Sequence, residues 1–477
     1  MVIENNIKIK NFGPIKEANI DIAPLTIFVG PNSSGKSYLS LLIHSILNSY
    51  NNLGLNFYNK IRYDCVNKFL ENDSESFKEF KDSLNEYINS KPKLSDDPFK
   101  FPAEKFKIIL EDSFGQVLND LIEEKLKGNF SNNLNKLNQF QKFPFEFSFN
   151  NNSFINEDGK LKLNKFYIDL NNVKNEGLSS ENDNIASFEI NEDIVSIKLN
   201  YILWHDFFDK DEYFIETIFM MIVSSVMDLF DHTSHYLSAI GDEIFKDINF
   251  FISKGINDDL DFSNIQKELL TNFLKVREDM EHGPFYNLAI GLEHELLGGE
   301  LQFKKGEIKE ELLFVDEEYG IEFELGLTSS FIRELTPLII YLKYFLQKGN
   351  TLIIEEPENH LHPENQRILV KYLVKLINND LNIILTTHSD YILEQFNNLI
   401  RLGKVNKDKL NELGYSDENI LNHEEVKIYN FKKESDYLYV PKEVDINETG
   451  FIDENFSEVT DELYNESVNI IDNMESD

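Results

Sequence analysis

Eight residues constrain this chain more than any others. At 30–37 it reads GPNSSGKS, a match to G-x-x-x-x-G-K-[S/T] without deviation. The run before it, LTIFV at 25–29, is mostly apolar, as a fully buried strand is. From Lys36 to about Leu47 the pattern is that of an apolar helix. Strand, glycine loop and helix together form the context this motif requires. The glycines let backbone N–H groups turn toward phosphate oxygens. The helix that starts near Lys36 aims the positive end of its dipole at the same point. Lys36 would neutralise the β- and γ-phosphates, and the Ser37 hydroxyl would ligate Mg²⁺. The ligands expected are therefore ATP and Mg²⁺.

Three further motifs follow near the other end. LIIEEP at 352–357 is a short apolar run ending in Glu355 and Glu356. Ligands of an open α/β sheet bind at such strand tips. Glu355 would hold the Mg²⁺ water shell, and Glu356 would polarise the attacking water. Neighbouring strand residues point to opposite faces, so the chain must bend there to bring both to bear. A solvated acidic strand end is the plainer reading of the pair alone. ILTTHS at 384–389 is a second buried run, with His388 at its tip. A lone histidine is more often a satisfied core residue, but this one ends the next strand of the series. TSSFIREL at 328–335 places hydroxyls before an apolar helix. An N-cap accounts for Ser329 and Ser330. The functional alternative is a helix N-terminus presented to the γ-phosphate of a nucleotide held by another subunit.

From residue 329 onward helices alternate with buried strands, which implies a parallel sheet with helices on its faces. Residues 1–50 and 299–405 then hold two halves of one nucleotide site, so 51–298 reads as an insertion and 406–477 as an acidic extension. Within the insertion, helical patterns at about 103–127, 211–254 and 262–280 alternate with strand-like pieces at 146–149, 161–168 and 187–199. Strands are also expected at 301–303 and 312–315. The last 35 residues carry about a dozen Asp and Glu. Phe456, Val459, Leu463, Val468 and Ile471 recur there at near-helical spacing, which predicts a short acidic helix.

The net charge is −38, and only five arginines are present. A field that negative repels nucleic acid unless basic residues gather in one groove, and no basic-dense run appears. Nucleic-acid binding is therefore not supported by charge, and other proteins are the expected partners. The single cysteine, Cys65, allows no intrachain disulfide and suggests the reducing cytoplasm. The first residues lack the apolar core of a signal peptide. The apolar stretch at 218–226 is shorter than the roughly 20 residues that cross a bilayer, so no membrane association is expected.

In order and spacing, GPNSSGKS, TSSFIREL, IIEEPENHLHPENQ and TTHS resemble the ABC-type ATPases of the RecF/SMC branch. They look closer still to the AAA-domain ATPases grouped with OLD-family and Gabija-type proteins. EHELLGG at 293–299 fits the same group, and the likeness spans about 1–45 and 295–405. It implies an α/β fold: an ABC-type P-loop NTPase head with a mixed, largely parallel sheet and a large helix-rich insertion. It also implies that Gly30, Asn32, Ser33, Ser34, Gly35, Lys36 and Ser37 bind phosphate and Mg²⁺, with Glu355 as the second metal-side group. Glu356 would be the catalytic base and His388 the switch. Ser329 and Ser330 would act in trans across a head-to-tail dimer, or a higher oligomer built from it. Glu358 and Asn359 would lie in the loop crossing the dimer seam.

The chain departs from the group's pattern in several places. Glu355 stands where aspartate is usual, and Ser-Ser-Phe stands where glycine is common. No glutamine loop can be placed. OLD and Gabija ATPases carry a C-terminal Toprim nuclease domain, whereas no D-x-D motif follows the last ATPase helix here. The expectation is thus an ATPase without a nuclease in cis, switching a separately encoded effector in antiphage defence or DNA repair. A RecF-like clamp on DNA is the alternative, and a transporter subunit the weakest reading.

Overall fold

In the computed structural model the described residues are 5–60, 75–90, 98–130, 146–149, 152–157, 160–165, 177–180, 183–190, 194–199, 234–237, 264–277, 279–305, 310–451, 464–468 and 470. The chain divides into two compact units. One comprises Met1–His44, Gly128–Phe145 and Ser234–Asp477, and the other Ser45–Lys127 and Glu146–Thr233.

All the motif residues lie in the first unit. Its main sheet is built from β1 (Asn5–Phe12), β2 (Ile15–Ile22), β3 (Leu25–Val29), β4 (Ser234–Leu237) and four strands from the C-terminal half. A separate antiparallel sheet holds β5 (Gly299–Lys305), β6 (Glu310–Asp316) and β7 (Glu322–Glu324). The remaining main-sheet strands are β8 (Thr351–Glu355), β9 (Asn382–Thr387), β10 (Val426–Lys433) and β11 (Tyr439–Glu443). Across the main sheet the order is β4-β8-β9-β3-β10-β11-β2-β1. The block from β4 to β10 is parallel, and the β10–β11 and β1–β2 pairs are antiparallel. Every residue of β3 is buried, as are all of β8 except Glu355 and all of β9 except Asn382. Strands covered on both faces read as continuous apolar runs, which is why these were legible.

Register decides where the chemistry gathers. Val29 pairs with Thr387, and Thr386 with Glu355. The C-terminal ends of β3, β9 and β8 therefore stand side by side, and the segments that follow them share one edge. α1 (Lys36–Lys60) leaves from β3, α2 (Pro363–Ile377) follows β8, and α3 (Asp390–Arg401) follows β9. A further helix, Ser330–Tyr344, precedes β8. It runs back toward the start of that strand, so its own first turn lies toward the shared edge. His360 Nε2 stands 3.7 Å from Glu334 Oε1, tying that turn to the loop after β8.

The pattern at 211–254 was helical, yet Ser234–Leu237 is a strand paired parallel to β8. A short apolar stretch suits a buried strand or a buried helix, and its partner lies more than a hundred residues away. The rest of that stretch, including 218–226, lies outside the described residues, as does Cys65. Residues 406–477 also hold more than an acidic extension. β10 lies directly against β3, with Tyr429 and Phe431 packed on Phe28. The predicted helix at the end is seen at 464–468, where its residues are exposed, and its other positions fall outside the described residues apart from 470.

The second unit contains helix Glu75–Ser90, most of helix Ala103–Asn129 and a four-stranded antiparallel sheet. That sheet runs Phe99–Pro102, Ile194–Leu199, Asp183–Ile190, Gly177–Ser180. Phe80 packs edge-on against Phe99 and Phe101, and at a tilt against Phe106. The strand-like pieces at 146–149 and 161–168 appear as Glu146–Phe149 and Lys160–Lys165, each paired with Asn152–Glu157. Among the described residues no helix is long and apolar enough to cross a membrane.

Candidate nucleotide site

Three residues of the glycine loop leave the usual backbone regions: Gly30 at φ +139°, Ser33 at +61° and Gly35 at +105°. A side chain at Gly30 would place its Cβ 2.8 Å from Phe431 Cβ and 3.1 Å from the Phe431 carbonyl oxygen. At Gly35 it would meet Ile15 Cγ1 at 2.9 Å. Both glycines are thus required by backbone angle and by close neighbours. Asn32 and Ser33 are exposed, and Ser34 is buried with its Oγ bonded to nothing. The loop closes on Lys36, whose Nζ donates to Gly30 O at 2.9 Å and to Pro31 O at 3.0 Å. Burial pulls the Lys36 pKa down to about 8, against the opposing pull of Glu356, Glu358 and Glu355. Ser37 is exposed in the first turn of α1, which carries no acidic residue to compete for the helix N-terminus. First-turn N–H groups have no acceptor within their own helix and are suited to an anion.

The acidic edge faces this loop. β8 ends at Glu355, and Glu356 takes φ +45°. That is the bend the sequence demanded of two adjacent carboxylates, and it has a cost on the order of 1–3 kcal/mol. The Glu356 N–H offsets part of it by donating to Thr386 O at 2.9 Å and Thr386 Oγ1 at 3.2 Å. Glu356 Oε1 stands 3.2 Å from His388 Nε2, and Oε2 accepts from Asn359 at 3.3 Å. Burial lowers the His388 pKa, with Lys36 adding to the effect, so the ring is neutral at pH 7. The loop, Lys36, the three acids and His388 are thereby brought together.

Ser329 and Ser330 behave differently. Ser329 is the exposed N-cap of its helix, accepting from the Ile332 N–H at 3.4 Å. Ser330 begins the helix and is half-buried. Thr328 donates to Leu325 O at 2.7 Å, and its own carbonyl accepts from Arg333. Leu327 beside them is largely exposed.

Sequence reasoning left two contributors out. Thr386 and Thr387 appeared only as letters of a motif, yet each hydroxyl bonds across to the loop after β8. Glu358 was placed at a dimer seam by resemblance. In the structure it turns inward, its Oε1 accepting from Thr387 Oγ1 at 2.8 Å and His388 N at 2.6 Å. No spacing rule exposes this, because the partners are on the neighbouring strand.

The donor set suits Mg²⁺ with a nucleotide. Ser37 and Glu355 offer hard oxygens, and Mg²⁺ commonly takes one or two protein oxygens, substrate phosphates and water. Among the described residues there is no cluster of three or more His, Cys, Asp or Glu side chains able to hold a metal without such a substrate.

A family model described as AAA ATPase domain matches residues 1–393. No curated protein sequence matches the chain. Among solved structures, the SMC head domain from Thermotoga maritima aligns at 11% identity over 92% of this chain and 98% of that one, with a TM-score of 0.30. An SMC head bound to the C-terminal winged-helix domain of ScpA aligns at 11% identity over 93% and 97%, with a TM-score of 0.36. An SMC head with an extended coiled coil bound to the C-terminal domain of ScpA, derived from Pyrococcus furiosus, gives 11% identity over 96% and 98%, with a TM-score of 0.31.

Proposed function

The chain belongs to the AAA ATPase domain family, and on that premise we propose that it hydrolyses ATP at the edge formed by residues 30–37, 355–359 and 388. The observation that carries this is the approach of Glu356 Oε1 to within 3.2 Å of His388 Nε2, beside the buried Lys36. The loop amides and the Lys36 ammonium hold the β- and γ-phosphates. Ser37 would supply a protein oxygen for Mg²⁺ and Glu355 would hold the ion's water shell, and the ion's charge would offset that developing on the transferred phosphoryl group. Glu356 accepts a proton from the attacking water. His388 Nε2 stands against Glu356 with no hydrogen-bond partner of its own among the described residues, and the single N–H of a neutral His388 would be given to the γ-phosphate, so that the contact reports hydrolysis.

We further infer that Ser329 and Ser330 complete the site from a second copy in a head-to-tail dimer. Their exposed helix start, on the same side as the nucleotide edge, supports this. The strongly acidic composition favours a protein effector over DNA as the partner that the dimer switches. An effector acting in antiphage defence or DNA repair is the setting proposed.

The test is ATP turnover and particle mass for wild type, Lys36→Ala and Glu356→Gln. Loss of binding in the first and an ATP-locked dimer in the second are expected. Wild-type turnover in both variants would refute the assignment.

A further inference from the structure

Glu358 has a role that the ATPase reading does not use. Its Oε1 takes two donors from the end of β9, the Thr387 hydroxyl and the His388 N–H. Its Oε2 is shielded from solvent and bonded to nothing. Withdrawing a carboxylate from water is costly unless hydrogen bonds compensate. Here the compensation comes from the His388 main-chain N–H and the Thr387 hydroxyl.

The loop after β8 is thus fastened to β9 at two points. Glu356 is held through its N–H on Thr386, and Glu358 grips Thr387 and His388. The 3.2 Å approach of Glu356 to His388 spans these two anchors. Resting on the ATPase reading above, we infer that Glu358 is a positioning residue for hydrolysis: by gripping the His388 main chain it holds the imidazole against Glu356. Glu358 does not hold the phosphates, so its loss acts on the chemical step and spares nucleotide binding. The acceptor is what matters, and a glutamine carbonyl oxygen can take both donors.

The experiment measures kcat for ATP, and Kd for a slowly hydrolysed ATP analogue with Mg²⁺, in the full chain. Glu358→Ala is expected to lower kcat about tenfold or more with Kd within about twofold, since a misplaced general base commonly forfeits 10- to 100-fold. Glu358→Gln is expected to recover kcat to within about threefold of wild type. Thr387→Val keeps the shape and removes one donor, so it gives an intermediate loss and serves if Glu358→Ala fails to fold. Because Glu358 acts through His388, the Glu358→Ala/His388→Ala double variant should be no slower than His388→Ala alone. Multiplicative losses, a parallel rise in Kd, or full activity of both Glu358→Ala and Thr387→Val would overturn the inference. Lys36→Ala and Glu356→Gln run alongside separate the two failures. If they abolish turnover while the Glu358 series is unaffected, only this inference falls. If they leave turnover intact, the ATPase assignment falls with it.

Discussion

Raising the pH should weaken nucleotide binding well before an ordinary lysine titrates. Lys36 is enclosed by its own loop and bonded to two carbonyl oxygens, and burial brings its pKa from 10.5 to about 8. Phosphate beside the ammonium favours the charged form, so binding takes up a proton wherever the free protein has lost it. With the free-state pKa at about 8, roughly nine-tenths of Lys36 is charged at pH 7 and about one-tenth at pH 9. If only the charged form binds, affinity falls about tenfold over that interval, or about 1.4 kcal/mol. A lysine left at 10.5 would change it by only about 3% over the same range. The assay is calorimetric titration with a slowly hydrolysed ATP analogue at fixed excess Mg²⁺, at several pH values, in buffers of different ionisation enthalpy. Proton uptake per site should rise toward one by pH 9. Lys36→Arg stays charged throughout and should show no such slope, whatever its absolute affinity. Flat wild-type affinity from pH 7 to 9, or an equal slope in Lys36→Arg, would refute the reasoning.

Gly30→Ala should cost about 2 kcal/mol or more in urea denaturation, because φ +139° and the 2.8 Å approach to Phe431 Cβ leave no room for a methyl group. Lys343 and Glu293 form a buried pair at 2.7 Å, and both also bond the Leu301 backbone. Lys343→Met strands the carboxylate and should destabilise the fold by about 3–5 kcal/mol, whereas Lys343→Met with Glu293→Gln should recover most of that. No recovery in the double variant would mean that packing, not charge, sets the cost. Ser329→Ala should lose about 1 kcal/mol of stability as a missing cap. A drop in turnover beyond tenfold with binding to isolated monomers unchanged would be the mark of its action in trans.

Local pattern alone determined the strand–loop–helix at 25–47, the two buried strands that end at Glu355 and just before His388, and the capped helix after Ser329. Each of these is recorded within a few consecutive residues: an uninterrupted apolar run, a glycine pair at fixed spacing, a hydroxyl before a helix. The same logic foresaw that the chain must bend between Glu355 and Glu356, because the pleat otherwise sends them apart, and the bend appears as φ +45°. Strand neighbours are another matter. That Ser234–Leu237 flanks β8, or that β10 supports the glycine loop through Phe431, depends on pairing between segments far apart in the chain. Apolar periodicity says that a segment is buried, not against what. For polar residues the gap is wider still. Glu358 accepts from Thr387 and His388 because register places them beside it, and hydrogen bonds between separate segments exist only once the sheet has formed.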